Sequence, residues 1–282
     1  MYRKLTGMFR INEWYSDVYL WYLVVIALSF FYTTRSFSIA IVFALYHLLM
    51  LCYCYYVNSW ADLDQDRVAG KKNILAKFGK QMRLSLLIVF SVLALLLPFL
   101  FINNFLVMFI AYANLFLTAF YSLRPLRFKE RGFMGIIVAA LVQGPLAYLM
   151  FALYVNLNAW VFLGFLAWIF LIEALDDLTH QIEDYFNDRK ARVNTWTTGK
   201  GVKINLMIAR AFFLLGFLLP LCYLLLDIYK GIFINLVLSA FTYEKYTHFK
   251  ESIEQHNKIL KKHRNTKTHY KNAGNNPNQS KH

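Results

Sequence analysis

Long apolar runs recur along this chain of 282 residues. Seven approach the roughly 20 residues that a helix needs to cross a hydrocarbon core of about 30 Å, and an eighth is shorter. Backbone groups find no partners in lipid, so such runs are expected to be helical. The pattern predicts an all-α polytopic transmembrane helix bundle of about eight spans, at 17–34, 37–57, 84–102, 105–122, 133–155, 158–175, 204–226 and 231–243.

Composition and charge placement agree with a membrane protein. Hydrophobic residues make up 59% of the chain and charged residues 16%, which is unlike a soluble domain. Of the 30 Lys and Arg residues, 27 fall in the N-terminal segment, the tail and alternate loops, and only 2 in the other loops. Cytoplasmic loops retain basic residues, so both termini are predicted to be cytoplasmic.

The basic charge has a simple explanation in this topology. The net charge is +14, but the cations are spread over loops and a tail, so we expect contact with membrane lipid and an anionic substrate rather than nucleic acid. The three Cys residues show no disulfide or zinc-type spacing. We divide the chain into a transmembrane domain, 1–249, and a basic polar tail, 250–282. The tail is expected to be partly disordered, with its first part continuing the last helix.

Two clusters of polar and acidic residues follow apolar runs and face the predicted cytoplasmic side. Asn58, Asp62 and Asp66 are spaced four apart, so a helix places them on one face. The second cluster repeats this spacing at His180, Asp184 and Asp188, with Asp177 on the same side. Dense carboxylates need a compensating cation, and oxygen donors suit Mg²⁺. The spacing indicates one metal and diphosphate site formed from two facing clusters.

Here the sequence resembles the UbiA superfamily of intramembrane prenyltransferases. The first motif of that family, NDxxDxxxD, is matched by Asn58, Asp62 and Asp66, and its second acidic motif by Asp177, Asp184 and Asp188. A third match, to a YSxxPxRxKxxGxxG segment, lies in the loop between the fourth and fifth runs. Further matches are Tyr121, Ser122, Pro125, Arg127, Lys129, Gly132, Gly135, Gly70 and Thr195.

The resemblance implies a helix bundle with a central cavity that opens near the cytoplasmic side. It implies Mg²⁺-dependent transfer of a prenyl group from an allylic diphosphate to a lipophilic acceptor, expected to be aromatic. Metal ligands would be Asn58, Asp62, Asp66, Asp177, Asp184 and Asp188. Residues expected to contact the diphosphate are Lys71, Lys72, Arg127, Lys129 and Lys200, together with Asn58. Catalytic roles fall to Asp62, Asp66, Asp184, Asp188, Tyr121 and His180.

Several departures from the family pattern keep alternatives open. Ser59 replaces an Asp, His180 replaces Asp, Asn or Tyr, and Arg192 replaces Gly. Members usually have nine spans rather than eight. His180 is interpreted as a base, as an orienting group for a carboxylate, or as a cap of the acidic face. The alternative functions are a membrane terpene cyclase and a non-catalytic transporter or ion-binding protein. Oligomeric state and prenyl chain length are not set by the sequence.

Overall fold

The computed structural model describes residues 9–274, and within them the side chains up to 261 except at 12, 13, 16 and 17. Every regular element in these residues is helical. A π-helical segment, Tyr15–Tyr19, joins the first two α-helices. The α-helices are α1 Ile11–Trp14, α2 Leu20–Ser29, α3 Phe37–Ala61, α4 Leu63–Ala69, α5 Lys80–Leu96, α6 Phe105–Ser122, α7 Phe133–Gln143, α8 Pro145–Tyr154, α9 Ala159–Glu183, α10 Tyr185–Ala191, α11 Trp196–Lys200, α12 Val202–Leu218 and α13 Ile228–Gly274.

Five helical stretches are long and apolar enough to cross a membrane, and α7 with α8 adds a sixth if this pair, bent by 42°, counts as one span. The chain is therefore an integral membrane protein. The other two predicted spans coincide with the short apolar stretch Leu20–Tyr32 and the start of α13. The count of eight, the cytoplasmic orientation and the central cavity stay predictions. The five stretches are Phe37–Ala61, Lys80–Leu100, Phe105–Ser122, Ala159–Glu183 and Val202–Leu225.

Helix α9 lies at the centre of the bundle. Of its most apolar window 61% is buried, against 11% for Lys80–Leu100, which presents its side chains outward as a lipid-facing helix does. Helix α9 packs against α7, α8, α12 and α13. Large side chains of α9 itself, such as Phe165 and Trp168, are fully buried. The acids at the end of α9 are therefore carried by the most buried of the five candidate spans.

The described structure contains an internal repeat with an offset of 122 residues. Helices α3 and α9, α4 and α10, and α5 and α12 begin and end at positions that differ by this number. Ser36 and Asn158 cap the long helices by accepting a backbone N–H. Pro98 and Pro220 lie at the start of matching 3₁₀ segments, Leu97–Leu100 and Leu219–Leu225. Because α4 contacts α10, both acidic motifs lie at the same end of the bundle.

Each acidic motif lies across a helix break rather than on one continuous helix, as the spacing argument assumed. The breaks are at Asp62, with φ −97° and ψ 3°, and at Asp184, with φ −83° and ψ −5°. The short helices that follow end in left-handed residues, Gly70 with φ 81° and Arg192 with φ 58°. Arg192 thus has the conformation that Gly adopts most easily. Arg192 therefore replaces the Gly of the family pattern while retaining a left-handed backbone conformation.

The last helix is much longer than the predicted span. Helix α13 is continuous from Ile228 to Gly274, so the expected continuation through the first part of the tail is present. The rest of the tail, 275–282, lies outside the described residues. One face of α13 packs on α9, which brings the tail next to the second acidic motif.

Candidate active site

The first acidic motif is surrounded by groups from the loop after α6. Asn58 Oδ1 accepts hydrogen bonds from Ser122 Oγ at 2.8 Å and from Lys129 Nζ at 3.2 Å. Lys129 also donates to Asp62 Oδ1, and Arg127 Nη2 lies 3.1 Å from the same oxygen. The third motif of the sequence is therefore in direct contact with the first, and it supplies two cations to one carboxylate.

The backbone of this loop explains how it reaches the acids. Arg127 is left-handed, with φ 39°, and a short 3₁₀ turn, Phe128–Glu130, follows it. Gly135 lets α7 pack on this turn, since an added Cβ would stand 3.0 Å from Phe128 O. Burial lowers the pKa of Lys129, and the Asp62 carboxylate opposes that shift. The Asp62 carboxylate therefore favours the charged form of Lys129.

A lysine that follows the first motif pairs with the second. Lys71 Nζ lies 2.5 Å from Asp184 Oδ1. In the opposite direction, Lys190 Nζ donates to Ala69 O at 3.1 Å. Each motif therefore contributes a basic side chain to the other, and the two motifs form one site.

Asp66 and Asp188 occupy equivalent positions in the repeat and share a distinctive environment. Asn73 Nδ2 donates to Asp66 Oδ2 at 2.8 Å, and Thr195 Oγ1 lies 3.5 Å from Asp188 Oδ2. Among the described residues neither carboxylate forms an ion pair. Burial raises the pKa of Asp66, and burial together with Asp184 raises that of Asp188 to about 7. Nearby cations, Lys71 for both carboxylates and Lys129 for Asp188, oppose these upward shifts without overcoming them.

Asp177 lies deeper, one helical turn inside the second motif. Tyr121 OH donates to Asp177 Oδ1 at 3.3 Å, and Gln181 Nε2 donates to Oδ2 at 2.7 Å. Thr197 in turn donates to Gln181 Oε1 from its backbone N–H and its hydroxyl. The carboxylate is thus fixed in orientation, next to the tyrosine of the third motif.

His180 contacts a different group of charges. Its Nε2 lies 3.3 Å from Asp176 Oδ2, and its Nδ1 lies 3.4 Å from Glu183 Oε2. Lys245 of α13 pairs with Asp176 at 2.6 Å, and both side chains are buried. His248 Nε2 lies 3.3 Å from Glu183 Oε1. His180 therefore belongs to a cluster of charged residues between α9 and α13, which we name the charged seam: Asp176, His180, Glu183, Lys245 and His248. Its side chain does not contact Tyr121.

Two predicted diphosphate contacts form no hydrogen bond or ion pair with the acids among the described residues. Lys72 and Lys200 are exposed, and Lys200 lies over the ring of Trp196. Sequence reasoning also missed several contributors that the structure places at or beside the site. Ser122 was matched as part of the third motif but was given no role in the site, and Asn73 follows the first motif closely. The full set of missed residues is Gln65, Asn73, Ser122, Glu130, Gln181, Thr197 and Lys245.

The donor set fits a hard divalent cation in its chemistry. It consists of carboxylates and an amide oxygen, and two of the carboxylates, Asp66 and Asp188, form no ion pair with a described residue. Such oxygen ligands suit Mg²⁺. In the part of the chain that the structure describes, no three acidic, His or Cys side chains are grouped closely enough to hold an ion by themselves. A bound diphosphate would have to supply further oxygens, as is usual for Mg²⁺ sites.

Residues 18–261 match the model of the UbiA prenyltransferase family. The chain belongs to this family. That membership confirms the resemblance seen in the motifs and makes the protein a membrane prenyltransferase. The search of curated proteins found no match to the chain.

Solved UbiA structures share the fold of this family member. A UbiA homolog from Archaeoglobus fulgidus bound to DMAPP and Mg²⁺ is 18% identical, with a TM-score of 0.69 and coverage of 86% of each chain. The same homolog bound to GPP and Mg²⁺ gives 18% identity and a TM-score of 0.68, with coverage of 85% of this chain and 84% of that one. A digeranylgeranylglyceryl phosphate synthase gives 16% identity and a TM-score of 0.63, with 92% of each chain covered.

Proposed function

We propose that this UbiA protein transfers a prenyl group from an allylic prenyl diphosphate to a lipophilic acceptor within the membrane, and that it requires Mg²⁺. The observation that carries the proposal is the convergence of both acidic motifs with the basic loop. Lys129 contacts Asp62, and Lys71 contacts Asp184. Support also comes from the UbiA homolog whose solved structures contain DMAPP or GPP with Mg²⁺.

Divalent metal would be held by Asn58, Asp62, Asp66, Asp184 and Asp188, with Asp177 as the deepest carboxylate. When bound, Mg²⁺ would neutralise charge on the diphosphate and so favour its departure. We expect Asp66 and Asp188 to contribute most, because neither forms an ion pair with a described residue. The two carboxylates come from different halves of the repeat, so metal binding would link the halves.

The basic side chains would bind the leaving diphosphate. Lys71, Lys129 and Arg127 already lie at the carboxylates, where charge-assisted hydrogen bonds to phosphate oxygens can form. Stabilising the negative charge that develops as the C–O bond breaks is their expected catalytic contribution. Lys72 and Lys200 are expected to act by long-range attraction only, because they are exposed.

Residues on the inner side of the site would stabilise the allylic cation. Tyr121 presents an aromatic ring that can stabilise positive charge, while its hydroxyl is held by Asp177. His180 is better suited to orienting Asp176 and Glu183 than to removing a proton, because both of its nitrogens face these carboxylates. We place the site at the cytoplasmic face of the membrane because the basic loops border it.

Purified protein in lipid nanodiscs with GPP and Mg²⁺ tests the proposal. Pyrophosphate release is expected with Mg²⁺ and not with EDTA, and a prenylated product is expected when a lipid extract is added. Asp184→Asn should abolish release. No release under any condition would contradict the proposal and revive a non-catalytic ion-binding role. A cyclic hydrocarbon or alcohol formed without acceptor would identify a cyclase instead.

A further inference from the structure

A continuous chain of hydrogen bonds runs from α12 to Tyr121, the tyrosine of the third motif. Asn205 Nδ2 donates to Thr197 Oγ1 at 2.5 Å, and this hydroxyl donates to Gln181 Oε1 at 3.0 Å. Gln181 Nε2 donates to Asp177 Oδ2 at 2.7 Å, and Tyr121 OH donates to Asp177 Oδ1 at 3.3 Å. We name Gln181, Thr197 and Asn205 the relay. It connects α9, α11 and α12 to a tyrosine on α6.

The relay is enclosed by protein. Thr197 and Asn205 are fully buried, and Gln181 is 8% exposed. Polar side chains in such surroundings cost free energy unless they form hydrogen bonds, and within a network each bond supports the next. Rotating any one of these side chains would leave buried groups unpaired. The relay therefore holds its members in one orientation.

The direction of each hydrogen bond in the relay is fixed by the backbone of α11. Thr197 lies in the first turn of that helix, where its N–H has no partner within the helix, and it donates to Gln181 Oε1 at 3.1 Å. The Gln181 amide therefore turns its oxygen to Thr197 and its nitrogen to Asp177. The Thr197 hydroxyl faces the same oxygen, so its one hydrogen is donated there and it accepts from Asn205.

The relay belongs to the second half of the internal repeat only. At the offset of 122 residues, the three positions of the relay correspond in the first half to Ser59, Leu75 and Arg83. A leucine side chain forms no hydrogen bonds, so the first half cannot contain the same chain of contacts. The matching helices thus form without a relay in one half. This difference indicates a role in the site, where the relay ends at Asp177 and Tyr121.

The last hydrogen bond of the chain is the one most sensitive to the relay. Its length of 3.3 Å exceeds the about 2.8 Å that is usual for an O–H to O bond, so a small rotation of the Asp177 carboxylate would break it. Gln181 holds the other carboxylate oxygen at 2.7 Å and limits this rotation. The relay thereby controls whether Tyr121 keeps its partner.

We propose that the relay positions the Asp177 carboxylate to accept the hydrogen bond from Tyr121, and that this bond strengthens the stabilisation of the allylic cation by the tyrosine ring. This inference rests on the proposed function. A phenol that donates to a carboxylate gains electron density on its ring, and an electron-rich ring attracts a cation more strongly. The members of the relay are positioning residues, because they act on the cation only through Asp177 and Tyr121.

Nuclear magnetic resonance of the protein in nanodiscs, with ¹³C at Cζ of tyrosine, tests the positioning role without any reaction. The resonance of Tyr121 is identified by its loss in Tyr121→Phe. Thr197→Val removes the hydroxyl at nearly constant volume and should move this resonance, whereas Thr197→Ser keeps the hydroxyl and should not. Thr179→Val is the matched control, because Thr179 also lies on α9, is 1% exposed and donates to Leu175 O outside the relay. It should leave the resonance in place.

The single-turnover rate of pyrophosphate release from bound GPP tests the effect on the cation. Thr197→Val should lower this rate about five- to tenfold, the scale of one hydrogen bond, while the affinity for GPP changes less than about twofold. Thr197→Ser and Thr179→Val should both stay within about twofold of the wild-type rate. Loss of folded protein would lower the amount of GPP bound but not the rate for protein that has bound it.

Two results would overturn the inference. A Tyr121 resonance that stays unchanged in Thr197→Val, or that moves equally in Thr179→Val, would contradict the positioning role. A wild-type rate in Thr197→Val would contradict the effect on the cation. Absence of pyrophosphate release from the wild-type protein would instead contradict the proposed function, while the tyrosine resonances would still decide the positioning role. The two failures are therefore distinguishable.

Discussion

The two halves of the internal repeat have three pairs of helices with matching boundaries but obtain their compensating charge in different ways. In the first half, Asp62 is neutralised by the loop after α6 through Arg127 and Lys129. In the second half, Asp184 is neutralised by Lys71 from the first half. The positions equivalent to Asp176 and Asp177 in the first half are Cys54 and Tyr55. A shared scaffold thus carries two acidic motifs, and only the second extends into the bundle.

This difference separates the site into a symmetric and an asymmetric part. Asp62 and Asp184, and Asp66 and Asp188, are related by the repeat and are expected to act together on metal and diphosphate. Asp177, with its partner Tyr121, belongs to one half only and faces the interior. The comparison suggests that ionisation uses both halves and that the later steps depend on the second.

Removing equivalent carboxylates should have the largest effect and tests the symmetric part. Asp62→Asn and Asp184→Asn should each lower turnover with GPP and Mg²⁺ at least about 100-fold, the usual scale for losing one group that stabilises a transition state. Their stabilities should differ. Asp62→Asn removes the carboxylate partner of Lys129, whose side chain is only 10% exposed. Asp184→Asn removes the partner of Lys71, whose side chain is 33% exposed and can be better solvated.

Thermal unfolding of the two variants therefore sharpens the comparison. We expect Asp62→Asn to lower the free energy of unfolding by about 1–3 kcal/mol more than Asp184→Asn. Retention of more than a tenth of wild-type turnover in either variant would contradict the proposed equivalence.

The charged seam predicts a large effect on stability that is confined to the second half. Lys245→Met leaves Asp176 as a buried carboxylate without that lysine and should cost about 3 kcal/mol. The solvent-exposed pair Lys230 and Asp227 provides the control, since Lys230→Met leaves a carboxylate that water can solvate and should cost far less. The double variant Lys245→Met with Asp176→Asn should recover much of the loss. Equal losses for the two lysines would show that the seam is not important.

The pH dependence of stability should distinguish Asp188 from its neighbour. Its pKa is raised to about 7 in the folded protein, against about 3.9 when unfolded, so the folded state binds this proton more tightly. The associated stability is present below about pH 4 and is lost as the pH rises through 7. In EDTA, Asp188→Asn should therefore stabilise the protein by about 1 kcal/mol or more at pH 8 and by nothing at pH 4.

Asp184→Asn is the matched variant for this pH experiment. It removes the partner of Lys71, so no gain in stability is expected at pH 8. Unfolding temperatures of both variants across pH 4–8 are the measurement. A gain in stability that is independent of pH would rule out titration of Asp188 as its cause.

The smallest predicted effects concern the hydrogen bonds to Asp66 and Asp188. Asn73→Ser keeps a capping oxygen but is too short to donate to Asp66, now bonded at 2.8 Å, so half-saturation by Mg²⁺ should need about three to ten times more metal. Thr195→Val removes a longer contact of 3.5 Å to Asp188, so the Mg²⁺ concentration at half-saturation should change less than about threefold. Titration of pyrophosphate release with Mg²⁺ measures both. A larger effect at Thr195 would reverse the assigned order.

Local spacing was enough to predict which residues form the two motifs. Asn58, Asp62 and Asp66 are a turn apart, and the same is true of His180, Asp184 and Asp188, so both clusters were visible in the sequence. The third motif likewise pointed to Arg127 and Lys129. The family and helical fold followed from these motifs and from the apolar runs, because both signals are local in sequence.

Contacts between residues far apart in the chain could not be predicted from the sequence. Lys245 lies 69 residues from Asp176, beyond the last predicted apolar run, and nothing in its neighbours indicates a buried ion pair. Asp176 contacts Lys245 of α13, whereas Asp177 contacts Tyr121 of α6. Which acid faces which helix depends on the rotation of α9 about its axis, and that rotation is set by tertiary packing. The breaks at Asp62 and Asp184 were missed because spacing four apart is equally compatible with an unbroken helix. The repeat was missed because it is conserved in element boundaries more than in residue identity.

The seam also has a consequence for the order of synthesis. Asp176 emerges from the ribosome 69 residues before Lys245, so α9 enters the membrane while this acid still lacks that cation. The central helix of the bundle can reach its final environment only after the last helix has been made. We therefore expect biogenesis of the protein to be completed after translation of α13 rather than stepwise along the chain, with the newly made protein vulnerable to quality control until then.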